Sequence, residues 1–152
     1  MGEVRFYHLT ERSLEAVLPV MLERSLDRGW RVLLRGTSEE RITALDQLLW
    51  TYRDESFLPH GRAGQGAEAS QPILLTTSAG APNSPNTLFL IDGAVPEAGE
   101  LARMEMAAIL FDGRDPAAVE QARGQWRAVT GDGLKAVYWA EDAGGWVRKA
   151  EA

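Results

Sequence analysis

The 152-residue sequence contains no cysteine and only two histidines. The missing thiols exclude disulfide bonds, cysteine nucleophiles and zinc sites built on cysteine. His8 and His60 offer little material for a metal site, and neither lies in the HExxH spacing of zinc proteases. A Gly-x-Ser-x-Gly motif is also missing, which leaves a hydrolase triad without an obvious nucleophile position. We therefore predict no catalytic residue, no bound metal and no cofactor.

Long apolar runs and a positive charge balance are missing as well. No apolar run approaches the roughly 20 residues that span a bilayer, and residues 1–6 do not resemble a signal peptide. We therefore expect a cytoplasmic protein without a membrane partner. The formal net charge is −6, whereas tight binding to nucleic acid needs a basic surface. Contact with nucleic acid is expected only indirectly, through a protein partner.

Segments typical of strands and helices alternate along the chain, whose length predicts one domain over residues 1–152. Strands are predicted at residues 4–9, 31–35, 73–77, 87–91, 106–111 and 134–139. The main helices are predicted to begin after Thr10 or Ser13, after Thr37 and after Asp115, and residues 97–103 can form a short one. Pro19 allows a kink or a later start in the first helix. This alternation predicts an α/β fold, a three-layer α/β/α sandwich with a mostly parallel or mixed central sheet.

The segment from Leu48 to His60 places large aromatic residues at the end of the second predicted helix. Trp50 and Phe57 have little chain nearby to cover them, and Leu58 and Pro59 stand beside them. Solvent-facing aromatic anchors often form the energetic centre of a protein–protein interface. The sequence leaves open whether Trp50 is exposed or is buried as the last residue of its own helix.

A second aromatic surface is predicted on the helix that begins at Pro116. Arg123 lies three and four residues before Trp126 and Arg127, so the three side chains share one helical face. Guanidinium groups beside a large ring suit a carboxylate that is linked to an apolar side chain. The alternative is that Trp126 packs into the core and both arginines are merely solvated.

Two other functions remain open at this point. Residues 61–66, Gly-Arg-Ala-Gly-Gln-Gly, suggest a loop that binds phosphate, as in a small α/β enzyme for a nucleotide or phosphorylated ligand. The segment lacks the preceding strand and the following Lys-Ser/Thr helix start, so a flexible loop is the better interpretation. Trp50 and Phe57 could also stack on bases of single-stranded DNA, although the acidic charge opposes this.

Several motifs together carry a family resemblance. They are Phe6-Tyr7-His8-Leu9, Gly29-Trp30-Arg31-Val32-Leu33, Leu49-Trp50 followed by Glu55-Ser56-Phe57-Leu58-Pro59-His60, Asn86-Thr87-Leu88-Phe89-Leu90, and Ala122-Arg123 with Trp126 and Gly133 beyond. With these motifs the chain resembles the chi subunit of bacterial DNA polymerase III, a small accessory protein of the clamp loader. The Trp and Glu-Ser-Phe-x-Pro-His elements are the most distinctive.

The resemblance implies a non-catalytic subunit that bridges two partners during DNA replication. One is the psi subunit of the clamp-loader complex, or an equivalent clamp-loader protein, and its contact would map to Trp50, Phe57, Leu58 and Pro59. The other is the C-terminal tail of single-stranded DNA-binding protein (SSB), which ends in a phenylalanine carboxylate preceded by acidic residues and a proline. That contact would map to Arg123, Trp126 and Arg127.

One departure from the family pattern concerns the binding of this acidic tail. Val119 stands where the family commonly presents a further basic residue. The apolar side chain would weaken binding of the tail or change its orientation. Arg114 could offset the loss.

Overall fold

The computed structural model describes residues 2–51, 59–64, 66–143 and 145–152. Within them the strands are β1 (Glu3–Leu9), β2 (Val32–Arg35), β3 (Gly61–Arg62), β4 (Ile73–Thr76), β5 (Thr87–Leu90), β6 (Met106–Asp112), β7 (Lys135–Asp142) and β8 (Gly145–Glu151). The α-helices are α1 (Leu14–Asp27), α2 (Glu39–Thr51) and α3 (Pro116–Gly131). Short 3-10 turns lie at Glu68–Ser70 and Leu101–Arg103.

The strands form one sheet in the order β3-β4-β2-β5-β6-β1-β7-β8. Neighbouring strands are parallel except β7 and β8, which form an antiparallel pair at one edge. Helices α1 and α2 cover one face of the sheet, and α3 covers the other. The predicted α/β fold with a mixed central sheet is therefore confirmed.

Alternation along the central strands builds both cores. On β1, Val4 and Phe6 join the core under α3, whereas Tyr7 and Leu9 join the core under α1 and α2. A strand buried on both faces is expected where helices cover both sides of a parallel sheet. The same alternation directs His8 toward the α3 side, which becomes important for the site described below.

The ends of α1 and α3 follow from local capping. The Ser13 hydroxyl accepts a hydrogen bond from the Ala16 backbone N–H at 3.2 Å, and α1 then continues from Leu14 through Pro19. The later helix start that Pro19 allowed does not occur. At α3, the Asp115 carboxylate accepts from the Ala117 N–H at 3.0 Å, with Pro116 in the first turn. The predicted cap and helix start are confirmed.

The structure differs from the prediction in three segments. No strand was predicted after residue 139, whereas Gly145–Glu151 forms β8, because pairing with the edge of β7 satisfies its backbone. Gly61–Arg62 pairs with β4 as the short strand β3, within a segment predicted as a loop. Residues 97–103 contain only the 3-10 turn Leu101–Arg103. The two additional strands depend on pairing with distant parts of the chain, which local sequence patterns do not reveal.

Candidate functional site

Helix α3 packs on the sheet through an aromatic cluster. Ala122 and Val129 are buried on its inner side. The Trp126 ring makes edge contacts with Phe6, with ring centroids 5.3 Å apart, and with Tyr138 at 6.1 Å. Trp126 is half-buried, so one part of the ring stabilises the core while another part remains accessible.

A groove of about 450 Å³ opens beside this ring, between α3 and the edge of the sheet. We call it the α3 groove. Its lining side chains are aromatic or apolar on the floor and cationic on the rim. They are His8, Phe111, Val119, Ala122, Arg123, Trp126, Arg127, Tyr138, Lys149 and Ala150.

The α3 groove contains all three residues predicted from helical spacing. The Arg123 and Arg127 side chains are 68% and 69% exposed. Both approach the Glu120 carboxylate, at 3.7 Å and 3.9 Å. Exposed ion pairs of this length contribute little free energy, so a ligand carboxylate can replace Glu120 at low cost. The groove can therefore hold an apolar group on its floor and a carboxylate at its rim.

The sheet contributes lining residues of the groove from β1, β6 and β7. His8 faces Phe111 in the parallel pairing of β1 and β6, and its Nδ1 lies 2.5 Å from the Tyr138 hydroxyl. Burial raises the pKa of Tyr138 above its usual value, and the positive charge of Arg123 opposes only part of that rise. Tyr138 is therefore a neutral phenol at neutral pH and can hydrogen-bond to the imidazole.

The groove thus includes residues that the sequence did not identify as functional. In the sequence, His8 offered only weak material for a metal site. In the structure it pairs with Tyr138 and also lines the groove. The period-two alternation of the strands could have placed His8, Phe111 and Tyr138 on one face, but only with the strand order known.

The second predicted surface surrounds Trp50, near the end of α2. The Trp50 side chain is 50% exposed, which answers the question that the sequence left open. Its ring centroid lies 4.4 Å from that of His60, and Pro59, which precedes His60 in the chain, is half-buried. We call Trp50, Pro59 and His60 the Trp50 patch. Phe57 and Leu58, also predicted for this surface, lie outside the described residues.

Asp46 and His60 hold the Trp50 patch in place. The buried His60 Nε2 lies 3.0 Å from Asp46 Oδ1, and Arg62 Nε lies 3.4 Å from Asp46 Oδ2. Since Asp46 is one turn before Trp50 on α2, these contacts connect the returning chain to the helix. His60 therefore acts as a support for one side of the Trp50 ring, a role that the sequence did not indicate.

A larger cavity, about 620 Å³, lies at the carboxyl ends of β1, β5 and β6. The connections from β1 and β6 run to opposite faces of the sheet there, which is where α/β proteins commonly bind ligands. Its arginines are already paired with carboxylates: Arg12 with Glu141, Arg41 with Glu15 and Asp92, and Arg114 with Asp112. The partly buried pairs of Arg12 and Arg41 would oppose the binding of a phosphate. Arg114 lines this cavity and is not among the groove residues, so it does not occupy the place that the missing basic residue left open.

The glycine-rich segment also lacks the geometry of a phosphate loop. Gly61 and Arg62 belong to β3, and the next helical element is the 3-10 turn Glu68–Ser70 rather than an α-helix. A phosphate loop needs the free N–H groups of an α-helix start.

Across the described ranges, no cluster of three or more histidine, aspartate or glutamate side chains could hold a metal ion. In the same part of the chain, no helix is long and apolar enough to cross a membrane.

Comparison with known proteins gives consistent matches. A family model described as "DNA polymerase III chi subunit, HolC" matches residues 1–137. The chain is 29% identical over 92 residues to the "Probable DNA polymerase III subunit chi" of Rickettsia prowazekii, covering 60% of this chain and 55% of that protein. It is 35% identical over 80 residues to the Escherichia coli DNA polymerase III subunit chi, covering 48% of this chain and 54% of that protein.

A third relative is the DNA polymerase III subunit chi of Pseudomonas aeruginosa, 35% identical over 78 residues, covering 49% of this chain and 54% of the relative. The chain therefore spans about half the length of the curated relatives it matches. The Trp50 patch and the α3 residues of the groove lie within the span of the family model, whereas β8 lies beyond it.

Proposed function

The chain belongs to the DNA polymerase III chi subunit family, and from this membership we propose that it is a non-catalytic accessory subunit of the polymerase III holoenzyme. In this role it links the clamp-loader complex to SSB on single-stranded DNA during replication. It uses two surfaces, the α3 groove for the SSB tail and the Trp50 patch for the psi subunit. Nucleic acid is reached only through SSB, in keeping with the net charge of −6.

The α3 groove is the observation that carries the proposal. The expected ligand combines an aromatic ring, a terminal carboxylate and preceding acidic side chains. The groove offers a floor containing Trp126 and Phe111, with Arg123 and Arg127 at its rim. An arginine can bind a carboxylate through two parallel N–H bonds, while the ring is removed from water on the apolar floor. The ligand and the groove therefore match in both polarity and charge.

The Trp50 patch supports the second contact. A half-exposed tryptophan is a common anchor in protein–protein interfaces. Because Asp46 and His60 already hold the neighbouring chain, little side-chain entropy is lost at that position when a partner binds. The proposed psi surface includes Trp50, Phe57, Leu58 and Pro59.

Calorimetric titration with a synthetic SSB-tail peptide tests the groove. We expect wild-type protein to bind with a micromolar Kd, roughly 8 kcal/mol at the standard state. Arg123→Ala should weaken binding by about tenfold, since it removes a charged hydrogen bond. Arg114→Ala is the matched control, because Arg114 lies in the other cavity, and should leave Kd unchanged.

A peptide with an amidated C-terminus completes the test. The amide removes the negative charge that Arg123 and Arg127 are proposed to bind, so wild-type affinity should fall. Absence of binding by the wild-type protein would overturn the proposed link to SSB. Identical binding by wild type and Arg123→Ala would overturn the assigned site.

A further inference from the structure

Strand β8 contains a β-bulge at the edge of the α3 groove. In its pairing with β7, Trp139 faces Arg148 whereas Tyr138 faces Ala150, so Lys149 is an extra residue in β8. A bulge sets two residues of one strand against a single residue of its partner and redirects their side chains. Lys149 and Ala150 both line the groove, next to Tyr138.

Lys149 differs from the other cations near the groove in its surroundings. Arg123 and Arg127 share the carboxylate of Glu120. Arg148, the neighbour of Lys149, has its guanidinium over the Trp139 ring at 5.8 Å and donates to Glu151 at 2.7 Å. Lys149 is exposed and makes no ion pair with any residue in the described part of the chain.

The charge of the rim therefore depends on β8 as well as on α3. The helix contributes Arg123 and Arg127, together with the opposing charge of Glu120, while its residue Val119 adds an apolar side chain to the lining. Lys149 adds a positive charge from the opposite side. An acidic ligand that crosses from α3 toward β8 would meet a cation on each side.

We propose that Lys149 is a specificity-determining residue of the α3 groove. Its ammonium group binds acidic side chains that precede the terminal carboxylate of the ligand. This inference rests on the proposed function, because it takes an acidic peptide with a free C-terminus as the ligand. Arg123 and Arg127 hold the terminal carboxylate, and Lys149 holds the upstream acidic segment. The strand that carries Lys149 lies beyond residues 1–137, the span that the family model matches.

Two peptides separate the two roles. Both end in phenylalanine with a free carboxylate preceded by proline; one carries upstream aspartates and the other carries asparagines in their place. Lys149→Gln should weaken binding of the aspartate peptide by about two- to fivefold, as expected for one exposed charge pair. It should leave the asparagine peptide unaffected, whereas Arg123→Ala should weaken both.

Lys135→Gln is the matched control, because Lys135 and Lys149 are the chain's two lysines. Lys135 lies at the start of β7, 3.9 Å from Glu151, and is not a groove residue. Its substitution should leave binding of both peptides unchanged. Val119→Lys, combined with Lys149→Gln, should restore affinity for the aspartate peptide by returning a cation to the groove from α3.

The outcomes distinguish this inference from the proposed function. If wild-type protein binds neither peptide, the proposed function fails. If wild type binds and Arg123→Ala weakens binding, but Lys149→Gln matches wild type on both peptides, the proposed function stands and the role of Lys149 is overturned. An equal loss on both peptides would also overturn it, because it would show that Lys149 does not act on the acidic side chains. Thermal unfolding of each variant checks that the fold is retained.

Discussion

Glu141 is a charged residue whose side chain is completely buried, with 0% exposure. Its Oε1 accepts hydrogen bonds from the backbone N–H groups of Thr10, Glu11 and Arg12 at 2.9, 3.1 and 3.2 Å. Its Oε2 accepts from Arg12 Nε at 2.7 Å. Burial by itself would raise the pKa of Glu141, but the Arg12 side chain and the three N–H groups outweigh burial and hold the pKa below its ordinary value. The carboxylate thereby fixes the connection between β1 and α1.

We predict that Glu141→Gln lowers the free energy of unfolding by about 1–3 kcal/mol at neutral pH, because bonds to a charged group are lost. Since the pKa of Glu141 is lower in the folded state, this stabilisation is complete above the pKa of the unfolded chain. It disappears as the pH falls through the folded-state pKa. Urea unfolding at several pH values should show wild type and variant converging in acid. Glu105→Gln, at an exposed glutamate, should have little effect at any pH, and a pH-independent loss in Glu141→Gln would contradict the assignment.

Trp50 gives a second test at a single residue. Trp50→Ala removes a half-exposed ring, so we expect little change in Tm. Its proposed role as an anchor predicts a loss of affinity for the psi subunit of about thirtyfold or more. The measurement is surface plasmon resonance with purified psi. Val95→Ala serves as the control, since Val95 is a 60% exposed apolar residue outside the Trp50 patch, and equal effects of both substitutions would contradict the proposed surface.

Helix α3 carries three predicted groove residues, so its stability and its binding role need separate measurements. Asp115→Ala removes the side-chain cap on the Ala117 N–H and should lower the free energy of unfolding by about 1 kcal/mol. Arg123 lies two turns further along, and the contacts of Trp126 with Phe6 and Tyr138 hold that part of the helix. We therefore expect unchanged affinity for the SSB-tail peptide, measured by calorimetry well below Tm. A loss as large as that of Arg123→Ala would mean that the groove depends on the cap.

The elements differ in how far the sequence could predict them. Helix α3 was predictable because Asp115, Pro116 and the i, i+3, i+4 spacing are local signals, and helical geometry alone placed Arg123, Trp126 and Arg127 on one face. Strand β8 was missed because its residues are mostly exposed and its existence depends on the edge of β7. The remaining groove residues, among them His8, Tyr138 and Lys149, come together only through strand order and pairing register, which local patterns do not contain.

The two proposed surfaces lie on opposite sides of the whole molecule. Trp50 belongs to α2, which packs on one face of the sheet, whereas the groove is formed by α3 on the other face. Between them lie the sheet and the two cores on its faces, which contain fully buried side chains such as Phe6 and Leu34. A core packed in this way favours rigid support over a change of shape.

This separation predicts that psi and the SSB tail bind independently. Sites that share no contacts usually couple by less than about 0.5 kcal/mol, so Kd for the peptide should change by less than about twofold when psi is bound. Calorimetry of the peptide with the free chain and with its psi complex measures the coupling directly, and Trp50→Ala should leave the peptide Kd of the free chain unchanged. A tenfold difference would require a connection through the core. Independent binding would let the protein release SSB repeatedly, in its proposed role, while it stays attached to the clamp loader, because the free energy of one contact would not depend on the other.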